Sequence, residues 1–129
     1  MSENMSRISD AEWKVMEIAW RQHPITAAEI IEELIVKTDW NRKTIHTLIR
    51  RLVQKEVLGI EKENPYVYYP LIGEEFCKKE ETKSFLEKVY NGSLQLLMAN
   101  FLKNENLSKN EIKELKKLLD ECDDRGDEK

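Results

Sequence analysis

Glycine and proline are scarce in this 129-residue chain, four and three respectively. So few loop-formers disfavour a turn-rich β-sandwich and point to helices. Cysteine is limited to Cys77 and Cys122 and histidine to His23 and His46, with no CxxC or HxxxH spacing. Neither a structural zinc site nor a disulfide framework is expected, and no metal or other cofactor. No apolar run approaches the roughly 18–20 residues of a membrane span. The best, Leu94 to Leu102, is broken by Gln95 and Asn100. The opening MSENMSRISD has no apolar leader segment, so membrane insertion is not expected and a cytoplasmic location is. Phosphate-binding glycine loops and nucleophile elbows are missing too, which argues against an enzyme.

What the chain has in abundance is charge. Charged residues make up 36% of it, against roughly 25% in an ordinary soluble domain. The net charge is −4, yet residues 37–55 carry Lys37, Arg42, Lys43, Arg50, Arg51 and Lys55 against the single acid Asp39. From Glu74 onward, 11 basic residues face 14 acidic ones. A basic segment inside an acidic protein suits contact with a polyanion, although charge alone fits a solvated helix face equally well.

Hydrophobic periodicity defines the elements. Ser9-Asp10-Ala11-Glu12 is a capping box, followed at helical spacing by Trp13, Met16 and Trp20, the tryptophans read as core, with Val15, Ile18 and Ala19 flanking, up to His23-Pro24. A second box, Thr26-Ala27-Ala28-Glu29, opens a short helix with Ile30, Ile31 and Leu34 inward; only a tight connection, His23-Pro24-Ile25, separates the two. A third helix spans about Asn41 to Lys55. Ile45, Leu48, Ile49, Leu52 and Val53 share one arc, opposite Lys43, Thr47, Arg50 and Gln54. The period then drops to two. Leu58 to Glu63 and Tyr66 to Leu71 read as a hairpin turned at Asn64-Pro65, with Pro70 marking a sheet edge.

Three helices and a hairpin are the order of a winged helix, in which the third helix enters the DNA major groove. The expected fold is mainly α: a winged-helix DNA-binding domain over 1–73, a helical dimerisation domain over 74–123, and a disordered charged tail over 124–129. In the second part, Phe76, Leu86, Val89 and Tyr90 mark one helix. Ser93 caps the next, with Leu94, Leu97, Met98 and Phe101 inward. Ser108-Lys109-Asn110-Glu111 caps a last one, with Ile112, Leu115, Leu118, Leu119 and Cys122 on one face. About fifty residues make a poor independent core. These stripes are therefore expected to meet those of a second copy, giving a homodimer.

Lys43, Thr44 and Thr47, with Arg42 as a fourth candidate, occupy the exposed N-terminal half of the third helix and are assigned to base edges. His46, Arg50, Arg51 and Tyr68 or another wing tyrosine are assigned to phosphates. An ion pair with Glu17 is the competing role for Arg51. The rival reading of the whole chain is a winged-helix module that docks proteins rather than DNA.

Ile8-Ser9-Asp10-Ala11-Glu12-Trp13, Val15-Met16, Trp20, Lys43-Thr44-Ile45-His46-Thr47-Leu48, Arg51-Leu52-Val53 and Tyr66-Val67-Tyr68-Tyr69-Pro70-Leu71 together resemble the penicillinase-repressor family of β-lactam-responsive repressors. The resemblance spans about residues 8 to 122. It implies a homodimer that blocks transcription at a palindromic double-stranded DNA operator. It further implies release when a membrane sensor metalloprotease responds to the antibiotic and the repressor is cut, the scissile Asn-Phe bond matching Asn100-Phe101. Three positions depart from the family pattern. Arg42 stands where Pro is usual, Glu56 where Gly commonly makes a left-handed helix cap, and Asn64-Pro65 where the wing tip often reads Gly-Arg. A sister branch of copper-responsive repressors carries a Cys-rich C-terminal site that Cys77 and Cys122 do not reproduce.

Overall fold

The structure, a computed structural model, describes residues 7–126. In chain order it contains α1 (Asp10–Arg21), β1 (Ile25–Thr26), α2 (Ala27–Lys37), α3 (Arg42–Gln54), β2 (Leu58–Glu61), β3 (Val67–Pro70), α4 (Glu74–Tyr90), α5 (Leu94–Asn104) and α6 (Lys109–Gly126). Two compact units divide the chain, the first ending at Glu80 and the second starting at Glu81. Residues 1–6, and residues 127–129 at the end of the expected charged tail, lie outside the described residues.

The capping boxes form as their sequences dictate. Ser9 Oγ accepts from the Glu12 amide at 3.1 Å while Glu12 Oε1 accepts from the Ser9 amide at 2.9 Å. Thr26 and Glu29 repeat the exchange at the start of α2, and Ser108 and Glu111 at the start of α6. Each pair satisfies two amides that a helix start otherwise leaves open.

The first unit is built on one apolar cluster. Val15, Met16, Ile18 and Ala19 of α1, Ile30, Ile31 and Leu34 of α2, and Ile45, Leu48, Ile49 and Leu52 of α3 are buried together. Val53 is only half-buried at its edge. So are Trp13 and Trp20, which flank the core and meet edge to face at 5.3 Å. An indole buried to its Nε1 needs an acceptor; Trp20 Nε1 finds the Ile72 carbonyl at 2.9 Å. In α4 the buried side chain is Cys77, while the expected marker Phe76 is 46% exposed. Cys77 belongs to the core cluster, and burial there pushes its thiol above its ordinary pKa, with Glu80 adding to the effect.

Two expectations about the sheet need correction. The connection after α1 contains a strand, β1, which pairs antiparallel with β3 through Ile25↔Tyr68 and Thr26↔Val67. The sheet order is β1-β3-β2, so β3 is central and Pro70 does not mark an edge. Pro70 is tolerated because it is the last residue of β3, beyond the two pairs made with β1. Gly59 lies opposite Tyr69 in the β2–β3 ladder, and a Cβ on it would stand 2.5 Å from the tyrosine ring. Gly59 thus lets that ring lie flat across the strand.

The C-terminus of α3 is held by an ion pair. Lys55 Nζ donates to Glu12 Oε1 at 2.6 Å and to the Arg7 carbonyl at 2.8 Å, tying this helix end to the N-terminus of α1. Burial alone would raise the Glu12 pKa, but the Lys55 ammonium and the Ser9 amide and hydroxyl outweigh it and hold the carboxyl below its ordinary value. The next residue but one to α3, Glu56, adopts the left-handed conformation with φ 66°. Its amide donates to Val53 O and that of Val57 to Leu52 O, both at 3.0 Å, which is a Schellman cap. The left-handed cap therefore forms without glycine, and the steric cost falls on Glu56.

The second unit is different in kind. No side chain from 81 to 123 is buried. In α5, Leu97 and Met98 are half-buried while Leu94 and Phe101 are exposed; in α6, Leu115 is half-buried while Ile112, Leu118 and Leu119 are exposed. Left-handed Asn91 and Gly92 separate α4 from α5, and Ser93 caps α5 through the Leu96 amide. Among the described residues no helix is long and apolar enough to cross a membrane.

Two stability predictions follow from the end of α3. Replacing Glu56 with Gly relieves the left-handed strain and should stabilise the first unit by about 1 kcal/mol in denaturant melts. Glu12→Gln keeps the capping geometry but strands the Lys55 charge, and should cost about 1–2 kcal/mol at neutral pH. The Glu12 carboxyl is lowered on folding, so its contribution is full above the ordinary glutamate range and lost as pH falls through the lowered value. The gap between wild type and Glu12→Gln should accordingly narrow below about pH 4.

Candidate nucleic-acid interface

Helix α3 presents the candidate surface. Thr38, Asp39, Trp40 and Asn41 join it to α2 in a helix-turn-helix, with Thr38 Oγ1 accepting from the Trp40 amide at 3.1 Å. Asn41 caps α3, its side-chain oxygen accepting from the Thr44 amide at 2.8 Å. Arg42 is then the first helical residue, whose amide has no intrahelical acceptor in any case. That is why Arg serves where Pro is usual. Ile45, Leu48, Ile49 and Leu52 press one side into the core, which turns Arg42, Lys43, Thr44, His46, Arg50 and Arg51 to solvent.

Not every cation of the basic segment is available. Lys37 bonds Glu33 at 2.8 Å, with Arg21 on the same carboxylate, and the two cations hold Glu33 below its ordinary pKa. Lys55 is committed to Glu12. Among the described residues, Arg42, Lys43, Arg50 and Arg51 make no ion pair, and the pair between Arg51 and Glu17 is absent. Four uncommitted cations therefore stand on the outer face of a single helix.

The outer face has two flanks. Lys43, Thr44, Thr47, Leu48 and Arg51 line a shallow hollow on one side. His46, Ile49, Arg50 and Val53 line a groove on the other, closed by Ile60, Lys62, Tyr66 and Tyr68 of the hairpin. The assigned residues are thus sorted: Lys43, Thr44, Thr47 and Arg51 together, and His46, Arg50 and Tyr68 together, with Arg42 at the helix start. Thr47 is half-buried and its hydroxyl proton is given to the Lys43 carbonyl at 3.0 Å. What it offers outward is a methyl group and an acceptor oxygen. Tyr68 is raised above its ordinary pKa by burial, and by its neighbour Tyr66, so its hydroxyl is a neutral donor at physiological pH.

Tyr66 joins this surface as the other wing tyrosine, and Lys62 joins it without having been singled out in the sequence. Their signal was the period of two: the ladder pairs Ile60 with Tyr68, so Lys62 and Tyr66 follow on the same face. Lys62 provides a wing cation where Asn64-Pro65 replaces the usual Gly-Arg.

A helix-turn-helix followed by a β-hairpin, with cations on the exposed side of its second helix, is a winged helix of the DNA-binding type. Residues 8–121 match the family model described as penicillinase repressor. The methicillin resistance regulatory protein MecI of Mammaliicoccus sciuri is 42% identical over 120 residues, covering 92% of this chain and 98% of the relative. The penicillinase repressor of Bacillus licheniformis is 41% identical over 123 residues, covering 95% and 96%. The solution structure of the DNA-binding domain of the repressor BlaI aligns with 55% of this chain and 88% of its own at TM-score 0.51 and 40% identity. Bacillus licheniformis BlaI in complex with the blaP half-operator aligns with 56% and 89% at TM-score 0.50 and 40% identity. The chain belongs to the penicillinase repressor family.

The base-edge and phosphate assignments lead to different expected mutant signatures, although Arg51, assigned to phosphate, lies on the Thr47 flank. Thr47→Ala should change preference at particular base pairs by about 1–3 kcal/mol. Arg50→Ala should weaken all duplexes alike and lower the slope of log affinity against log salt by about one. Binding titrations on matched and single-mismatch duplexes at several salt concentrations distinguish the two; uniform scaling by both variants rejects this division.

Proposed function

We propose that this protein is a homodimeric, sequence-specific transcriptional repressor that acts on a palindromic operator in the cytoplasm and has no enzymatic activity of its own. The observation that carries the reading is the outer face of α3, where Arg42, Lys43, Arg50 and Arg51 are uncommitted beside Thr44 and Thr47. Cations grip phosphates and Lys or Arg reaches guanine, while the Thr methyl suits thymine. A relative that binds a half-operator supports placing this face in the major groove.

The second unit supplies the two-fold partner. Leu94, Leu97, Met98 and Phe101 of α5 and Ile112, Leu115, Leu118 and Leu119 of α6 have no buried core of their own, and a second copy would cover them. Two linked recognition helices then read half-sites centred about one helical turn, or a multiple, apart.

Regulation follows from the same interface. The Asn100-Phe101 bond lies inside α5, with Asn100 Nδ2 donating to Tyr90 Oη at 3.0 Å and Asn104 Nδ2 donating to the Asn100 carbonyl at 2.9 Å. Cleavage there, by a membrane sensor metalloprotease responding to β-lactam, would halve the helix and remove it from the interface. The relatives' names, a methicillin resistance regulator and a penicillinase repressor, support an antibiotic-resistance role.

Selection from a random duplex pool at moderate salt should enrich a two-fold symmetric motif. A folded protein that enriches nothing assigns the basic face to a protein partner instead. Solution mass should report a dimer that dissociates on dilution; a monomer at every concentration rejects the interface. Incubation with the sensor protease should yield fragments ending at Asn100 and beginning at Phe101, and termini elsewhere reject that bond.

A further inference from the structure

The open groove between α3 and the hairpin offers about 330 Å³, at the lower end of the range of small-molecule sites. Ile49, 2% exposed, forms its floor together with Ile60 of β2. Arg50 and Lys62 stand exposed at its rim from opposite walls, and neither has an intramolecular partner among the described residues. Tyr66, 51% exposed, and Tyr68 add two aromatic faces and two phenolic donors.

A sugar-phosphate strand needs the cations but gains little from an apolar floor. An apolar body with one anionic head uses both: the body covers Ile49 and Ile60 between the tyrosines, and the head takes charge-assisted bonds from Arg50 and Lys62. We propose that this groove binds a small organic anion with a flat apolar body, an aromatic carboxylate in the simplest case, and that its occupation competes with DNA. The binding stands on the groove alone; the competition rests on the repressor reading above, because Arg50 would serve both ligands.

The test uses the full-length ¹⁵N-labelled chain and 1-naphthoate as probe, with 1-naphthalenemethanol as its neutral isostere. Naphthoate should give saturable amide shifts confined to residues 46–53 and 60–68. The alcohol should bind roughly tenfold or more weakly, as should naphthoate to an Arg50→Ala/Lys62→Ala double variant. Tyr66→Ala, at an exposed position that threatens the fold little, should weaken both compounds. Non-saturating shifts, shifts centred on the apolar faces of α5 and α6, or equal affinity for acid and alcohol would each overturn the site. With a selected operator duplex, naphthoate should raise the apparent Kd linearly with its free concentration, doubling it when the groove is half occupied. Saturated groove shifts with an unchanged operator Kd would overturn the competition while leaving the site. Groove shifts in a protein that selects no duplex would instead count against the repressor reading.

Discussion

Everything outward on α3 is set by what is inward. Ile45, Leu48, Ile49 and Leu52 are buried against α1 and α2, and a helix so anchored has no freedom to rotate about its axis. The cations and hydroxyls on the remaining arc are thereby aimed at solvent. The Lys55–Glu12 pair and the left-handed turn at Glu56 hold the C-terminal end, and the Asn41 cap defines the other. A recognition surface needs this stiffness, since base-edge contacts fail with small displacements.

The two units answer different physical problems. The first closes its own core and can present a rigid face. The second exposes Leu94, Phe101, Leu118 and Leu119, the surface that the proposed dimer would cover. In this reading the regulatory bond lies on the part of the molecule whose stability depends on a partner. Cutting Asn100-Phe101 would then alter assembly without touching the helix-turn-helix.

Much of the fold was legible in the chain because its signals are local. Capping boxes at Ser9, Thr26 and Ser108 formed as read, since each is a hydrogen-bond exchange within four residues. The period of 3.6 located the buried face of α3. The misses share a different cause. β1 is two residues long and exists only because β3 comes to lie beside it. Cys77 is buried and Phe76 is not because the side of α4 that meets the core, not the hydrophobicity of the residue, decided which one turned inward. Glu56 takes a glycine's conformation because a Schellman cap and the continuing strand require the chain to turn there.

The candidate surface divides along the same line. Sequence alone determined that residues 37–55 are basic, that α3 is amphipathic, and that Lys43, Thr44, Thr47, Arg50 and Arg51 fall on its outer side, because periodicity and charge are properties of neighbouring residues. The full set of available cations was decided only by tertiary structure. Glu33 and Glu12 withdraw Lys37 and Lys55, and no separation along the chain announces the second of these pairs, 43 residues apart. It also decided that Lys62 and Tyr66 join Arg50 around one groove, because the strand register that brings them there is set by the pairing of β2 with β3.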